Sequence, residues 1–123
     1  MQLKQIARDA LLKPLQAVSG IVERRHTLPI LANVLLEQRE GRLFVTATDL
    51  EMQITAESLM DGKAGQATTV GARKLQDLLR ALPDDATLTV DVASSKMTVR
   101  AGRSRFNLQT LPAADYPRIT LVT

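Results

Sequence analysis

The feature that most limits what this chain can fold into is an order of elements that runs twice. An alternating stretch over residues 1–7 predicts a strand. Leu11, Leu12, Leu15 and Val18 then recur at helical spacing, and short strands are expected over 33–38, 42–48 and 51–57. The order returns with a strand over 66–70, a helix over 72–82, and strands over 87–92, 96–101 and 104–108. Two strand-helix-three-strand halves of nearly equal length form a repeat of architecture rather than of sequence. Strands joined by short turns pair mainly antiparallel. Two amphipathic helices can bury their stripes only against those strands. The expectation is therefore an α+β domain with two helices on one side of mainly antiparallel sheets.

The second helix is the better defined. Leu75, Leu78, Leu79 and Leu82 fall at i, i+3, i+4 and i+7, and Pro83 ends the run. The first helix is expected to take Asp9 as its N-cap and Gly20 as its stop. Pro14 lies inside it, where a regular interior would lose about 3 kcal/mol, so a kink or an early first turn is expected there. Leu43, Val45 and Ala47 should share one strand face, and Met52, Ile54 and Ala56 should point inward on the next. Gly41, the 62–65 stretch, Ser94-Ser95 and Gly102-Arg103 read as turns.

A length of 123 residues suits one domain, and 45% apolar residues suffice for a core. Phe44, Phe106 and Tyr116 are the only aromatics, so that core must be aliphatic. The absence of cysteine excludes disulfides, thiolate metal sites and a cysteine nucleophile, and fits a reducing compartment. No apolar run approaches the ~20 residues of a membrane helix, and no signal segment is visible. The reading is a soluble cytoplasmic protein without a membrane partner.

Sixteen basic residues against thirteen acidic give a net charge of +3, which permits a nucleic-acid partner without requiring one. Arg8, Lys13, Gln16 and Ser19 are expected on the outward face of the first helix, and Arg73, Lys74, Gln76, Asp77 and Arg80 on that of the second. Short basic faces without aromatics suit loose phosphate contact, which carries no sequence information. An ordinary solvated face is the plain alternative. Catalysis is not indicated. Thr48-Asp49-Leu50-Glu51 holds an acid pair, but a two-metal site needs further carboxylates, and Asp84, Asp85 and Asp91 lie elsewhere. A tight turn with Asp49 capping the backbone explains the segment better. There is no glycine-rich phosphate loop, and His26 is the only histidine, so no metal, cofactor or nucleophile-base pair is expected.

Three ordered segments carry a resemblance: Thr27-Leu28-Pro29-Ile30-Leu31-Ala32-Asn33; Thr46-Ala47-Thr48-Asp49-Leu50-Glu51-Met52; and Gly102-Arg103-Ser104-Arg105-Phe106 with Thr110-Leu111-Pro112-Ala113-Ala114-Asp115-Tyr116-Pro117. Over nearly the whole chain this resembles the N-terminal domain of the bacterial DNA polymerase III beta subunit, the sliding clamp. The resemblance implies the DNA-clamp fold, with two further clamp domains outside residues 1–123. It implies a processivity factor in which two protomers close head to tail around duplex DNA. DNA polymerase III and the clamp loader would be met through the complete clamp. It places Arg24 or Arg25, in the loop before Leu28-Pro29, and Arg73 at the DNA, beside the helix-face residues Lys13 and Arg80. It places Lys74, Lys96, Arg103, Arg105, Phe106 and Leu108 at the protomer interface. Without the resemblance, Phe106 reads as a core aromatic and the two arginines as a solvated edge. The alternative function is a stand-alone α+β protein-interaction module that uses an exposed edge strand and has no DNA role.

Overall fold

A computed structural model describes residues 2–20, 22, 29–39, 41–49, 52–59, 66–93 and 95–117. The first half comprises β1 (Gln2–Ala7), α1 (Arg8–Ser19), β2 (Asn33–Arg39), β3 (Arg42–Thr48) and β4 (Gln53–Leu59). The second comprises β5 (Gln66–Gly71), α2 (Ala72–Arg80), β6 (Thr87–Ala93), β7 (Lys96–Ala101) and β8 (Ser104–Leu111). Short 3-10 turns occupy Pro29–Ala32 and Ala113–Asp115. The repeat read from the sequence is the order observed.

Every pairing is antiparallel, and the strand order is β1-β6-β7-β8-β5-β2-β3-β4. Each half thus gives its first strand to the other: β1 pairs with β6, and β5 with β2. The joint between the two four-stranded parts is narrow. β5 and β8 meet at Thr69–Leu111 and Val70–Thr110.

One apolar cluster fills the space between helices and strands. α1 supplies Leu11, Leu12, Leu15 and Val18, and α2 supplies Ala72, Leu75, Leu78 and Leu79. Leu43, Val45 and Ala47 come from β3, as their alternation requires, and Leu88, Val90, Met97 and Val99 from β6 and β7. Each fully buried leucine contributes about 1.5–3 kcal/mol. Because both helices bury their stripes in the same cluster and touch each other, they form one layer on one side of the sheet.

α1 departs from expectation in four ways. It runs unbroken from Arg8 to Ser19, with Pro14 buried at its middle rather than in its first turn. Proline removes the N–H that the Ala10 carbonyl would accept in a regular helix. Ser58 Oγ on β4 donates to that carbonyl instead, at 2.6 Å. Asp9 is not the cap. The N-cap is Ala7, without a side-chain bond, and Asp9 sits inside the first turn, accepting from Arg8 Nε and Nη2 at 3.1 and 2.9 Å. Arg8 does not face outward either: its side chain is 12% exposed and Nη1 donates to the Leu82 carbonyl at 3.1 Å. Gly20 ends the helix in right-handed geometry at φ −63°, so no left-handed cap is used.

Other boundaries shift modestly. α2 ends at Arg80, although Leu82 remains buried. β4 starts at Gln53, which leaves Met52 55% exposed rather than inward, while Ile54 and Ala56 do pack on the core. Positive φ is confined, among the described residues, to Gly41 (72°), Ser95 (65°) and Gly102 (58°), each in a hairpin turn.

The sheet face away from the helices is partly covered. Leu35 alternates with the core residues Val34 and Leu36, so it points the other way, yet it is 1% exposed. Tyr116, likewise buried and outside the helix-side cluster, is tied to the start of β2 and the end of β3. Its hydroxyl accepts from Thr48 N at 3.1 Å and faces the carbonyls of Asn33 and Thr46 at 3.3 and 3.4 Å, to one of which it can donate. Burial pushes its pKa above 10.0, and the bond from Thr48 offsets part of that rise.

Candidate functional site

The helix pair and the exposed part of β8 hold most of the residues singled out in the sequence. On α1, Lys13, Gln16 and Ala17 are exposed along one stripe opposite the buried leucines, continued by the cap residue Gly20. Lys13 also borders an open cleft of about 460 Å³ between α1 and β4, floored by Ala10, Pro14, Ala17 and Ala56. On α2, Arg73, Lys74, Asp77 and Arg80 are exposed. Arg73 and Arg80 lie two turns apart on one stripe, with Asp77 between them.

The placement of the first two cations is electrostatically costly. Arg73 and Lys74 occupy the first turn of α2, which has no acidic residue, so they face the positive end of the helix dipole. The first turn normally favours acidic groups, by about 0.3–1 kcal/mol each. An anion brought there would meet both the two side chains and the unpaired backbone N–H groups of the helix start. The Arg24 and Arg25 positions lie outside the described residues.

β8 presents a second surface. Phe106 and Leu108 are half-buried and pack against the core, whereas Arg105 and Asn107 alternate to the opposite face and are exposed. Phe106 is thus neither sealed in the core nor free of it. Arg103 is exposed in the turn before β8, and Lys96 is exposed at the start of β7, opposite Gln109. Ser104–Gln109 pair with β7 on one side; among the described residues no strand takes the other side. α2 packs against β8, which puts Lys74 on a helix beside this edge.

Asp49 of the β3–β4 connection is a turn element, as expected, while Glu51 lies outside the described residues. Asp49 Oδ1 accepts from Met52 N at 2.8 Å, and Asp49 N donates to Met52 O at 3.2 Å. Among the described residues no three His, Cys, Asp or Glu side chains gather into a metal-binding group. Three contributors were not foreseen: Ser58, Tyr116 and the inward turn of Arg8. Pro14 announces a carbonyl in need of a donor at Ala10, so a signal for Ser58 existed, but nothing local names a partner 48 residues away.

These features define a two-layer α+β domain of two βαβββ units, with a cationic helix pair on one side and an open strand edge. Comparison with known proteins gives the same architecture. The chain is 50% identical over 115 residues to the beta sliding clamps of Pseudomonas putida and Escherichia coli, covering 93% of this chain and 31% of each relative. A crystal structure of a DnaN sliding clamp (DNA polymerase III subunit beta) from Pseudomonas aeruginosa superposes with TM-score 0.91 at 46% identity, over 100% of this chain and 33% of that one. A DNA polymerase sliding clamp from Caulobacter crescentus gives TM-score 0.91 at 41% identity, over 98% and 33%. The chain therefore spans about a third of the length of these relatives. Residues 1–120 match the family profile described as DNA polymerase III beta subunit, N-terminal domain, and the chain belongs to that family.

Proposed function

We propose that this domain acts as part of a processivity factor: a closed ring of clamp protomers that encircles duplex DNA, slides along it and tethers the replicative polymerase. Its clients, DNA polymerase III and the clamp loader, would be engaged through the complete clamp. A ring on an unbroken duplex is retained by topology, so individual contacts can stay weak. Weak, sequence-independent phosphate contacts then favour sliding, and tethering keeps polymerase at high effective concentration near the primer end. The domain's own role is positional, without catalytic groups, and its place of work is the cytoplasm.

The observation that carries this reading is the exposed cationic stripe of the helix pair, above all Arg73 and Lys74 held against the unfavourable end of α2. A phosphate would relieve that arrangement. Lys13 and Arg80 supply further charge on the exposed stripes, and Arg24 or Arg25 is assigned to the same DNA contact. Lys74, Lys96, Arg103, Arg105, Phe106 and Leu108 are assigned to the seam with a second protomer. The open β8 edge supports this, since an added strand would satisfy its backbone groups and seat against Phe106. The same edge would serve a protein-interaction module with no DNA role, and the test separates the two.

The 123-residue chain is expected to bind labelled duplex weakly, with Kd on the order of 10⁻⁴–10⁻⁶ M near physiological salt, without sequence preference and with steep salt dependence. Tight, salt-insensitive binding, or none at low salt, contradicts the reading. In the complete protein, Phe106→Asp is expected to open the ring in sedimentation while circular dichroism of the 123-residue chain stays native. Loss of the native spectrum would make Phe106 a core residue instead.

A further inference from the structure

Charge on α2 is arranged against the stability of the helix itself. Asp77 stands in the last turn, where its carbonyl accepts from the cap amide of Ala81 at 3.1 Å. Its carboxylate is therefore at the negative end of the helix dipole, as Arg73 and Lys74 are at the positive end. Each placement is unfavourable for the helix, and the chain keeps all three. Two cations lie within side-chain reach of Asp77 on the same exposed stripe: Arg73 four residues before it and Arg80 three residues after it. Neither is paired with it, and among the described residues no ion pair includes Asp77. The other acid of the helix pair, Asp9 on α1, is tied to Arg8 at 2.9 Å. Asp77 is thus the one acid left unpaired on the exposed faces of α1 and α2.

We propose that Asp77 limits the grip of this face on duplex DNA: its carboxylate repels the phosphates that Arg73 and Arg80 attract, keeps each contact shallow and so speeds sliding. This rests on the ring reading above and adds to the same face a residue that opposes binding. Arg73 and Arg80 are about 10 Å apart along the axis, at 1.5 Å per residue, with the carboxylate between them. Surface charges feel one another over about 8–10 Å at moderate ionic strength. A phosphate held by either arginine is therefore within range of Asp77, and an ionised carboxylate offers it no donor. A ring retained by topology gains nothing from deep contacts, because every phosphate held firmly is one that must be released before the ring can move. The rival role, a carboxylate that aligns the two arginines, calls for the ion pairs that are absent, and it predicts the opposite sign on binding.

The test is Asp77→Asn, which removes the charge and keeps the shape. In the 123-residue chain the melting temperature is expected to stay unchanged or rise, because an acid leaves the last turn of α2. Affinity for labelled duplex at low salt is expected to rise roughly two- to fivefold, the range of one exposed charge interaction, with a steeper dependence on salt. The gain should vanish near 1 M salt, where screening acts within about 3 Å. In the complete protein, labelled rings loaded on stretched duplex should diffuse more slowly by a similar factor. Asp77→Glu, which keeps the charge, is expected to give less than half of the affinity gain. Weaker binding by Asp77→Asn would make Asp77 an organiser of the arginines and overturn the proposal. If Arg73→Gln weakens binding but Asp77→Asn leaves affinity and diffusion unchanged, the limiting role is wrong and the ring reading stands. If neither variant alters duplex binding, the helix pair does not face DNA, and that part of the ring reading falls together with the proposal. A shorter ring lifetime in Asp77→Asn, with duplex affinity unchanged, would assign the carboxylate to the protomer seam and likewise overturn it.

Discussion

α1 and α2 occupy equivalent places in the two halves, yet they are held by different means. α2 is nearly self-explanatory: Leu75, Leu78 and Leu79 bury one face, and Arg73, Asp77 and Arg80 are exposed on the other. α1 depends on groups far away in sequence. Its proline-freed carbonyl takes a hydroxyl from β4, and its first residue is tied to the exit of α2 through the Leu82 carbonyl, with a further ion pair from Arg8 to Asp84 at 3.2 Å. The same architectural slot can be filled by a helix that carries its own instructions or by one that is completed by its neighbours.

The largest effect should come from the self-sufficient helix. Leu79→Ala removes a fully buried side chain and is expected to cost about 2–5 kcal/mol in denaturant unfolding. A cost below about 1 kcal/mol would mean that the α2 stripe does not anchor the layer. For α1 the decisive experiment is a cycle. Ser58→Ala should cost about 1–3 kcal/mol, because the Ala10 carbonyl then has neither helical nor side-chain donor. In a Pro14→Ala background the helix supplies its own N–H, and the Ser58→Ala cost should fall below about 1 kcal/mol. Equal costs in both backgrounds would remove the proposed dependence of α1 on β4.

A smaller effect tests whether the contrast is confined to the helices. Tyr116 lies outside both helices, at the ends of β2 and β3, with its pKa raised above 10.0 by burial. A group whose folded pKa is raised gives its full stabilisation below the unfolded value and loses it as pH climbs through the folded value. Stability should therefore hold up to about pH 10 and decline above it. Tyr116→Phe should remove that decline and cost about 0.5–1.5 kcal/mol at neutral pH. An unchanged alkaline limb in Tyr116→Phe would assign the decline to other groups. The smallest expected effect carries the opposite sign. Arg73→Gln relieves a cation at the start of α2 and should stabilise the chain by about 0.3–1 kcal/mol while weakening duplex binding. Lys13→Gln, in mid-helix on α1, should weaken binding without that gain, and a stabilisation equal to that of Arg73→Gln would argue against the dipole account.

Periodicity and turn chemistry by themselves determined the repeat, the existence of both helices and their common side of the sheet, the inward face of β3, that of β4 apart from Met52, and the Asp49 turn. Each of these is a local pattern, written in residues a few positions apart, and burying an apolar stripe fixes which face turns inward. The ordered motifs from Thr27 to Pro117 pointed to the family on their own. Only the tertiary structure decided that the halves exchange their first strands, that Ser58 completes α1, that Arg8 turns inward, that Tyr116 ties the start of β2 to the end of β3, and that Arg100 stands opposite Arg105. Those outcomes join residues tens of positions apart or depend on strand register. Alternation tells a strand which face to bury but not which neighbour to take, so register and partner choice emerge only when the whole sheet closes over one core.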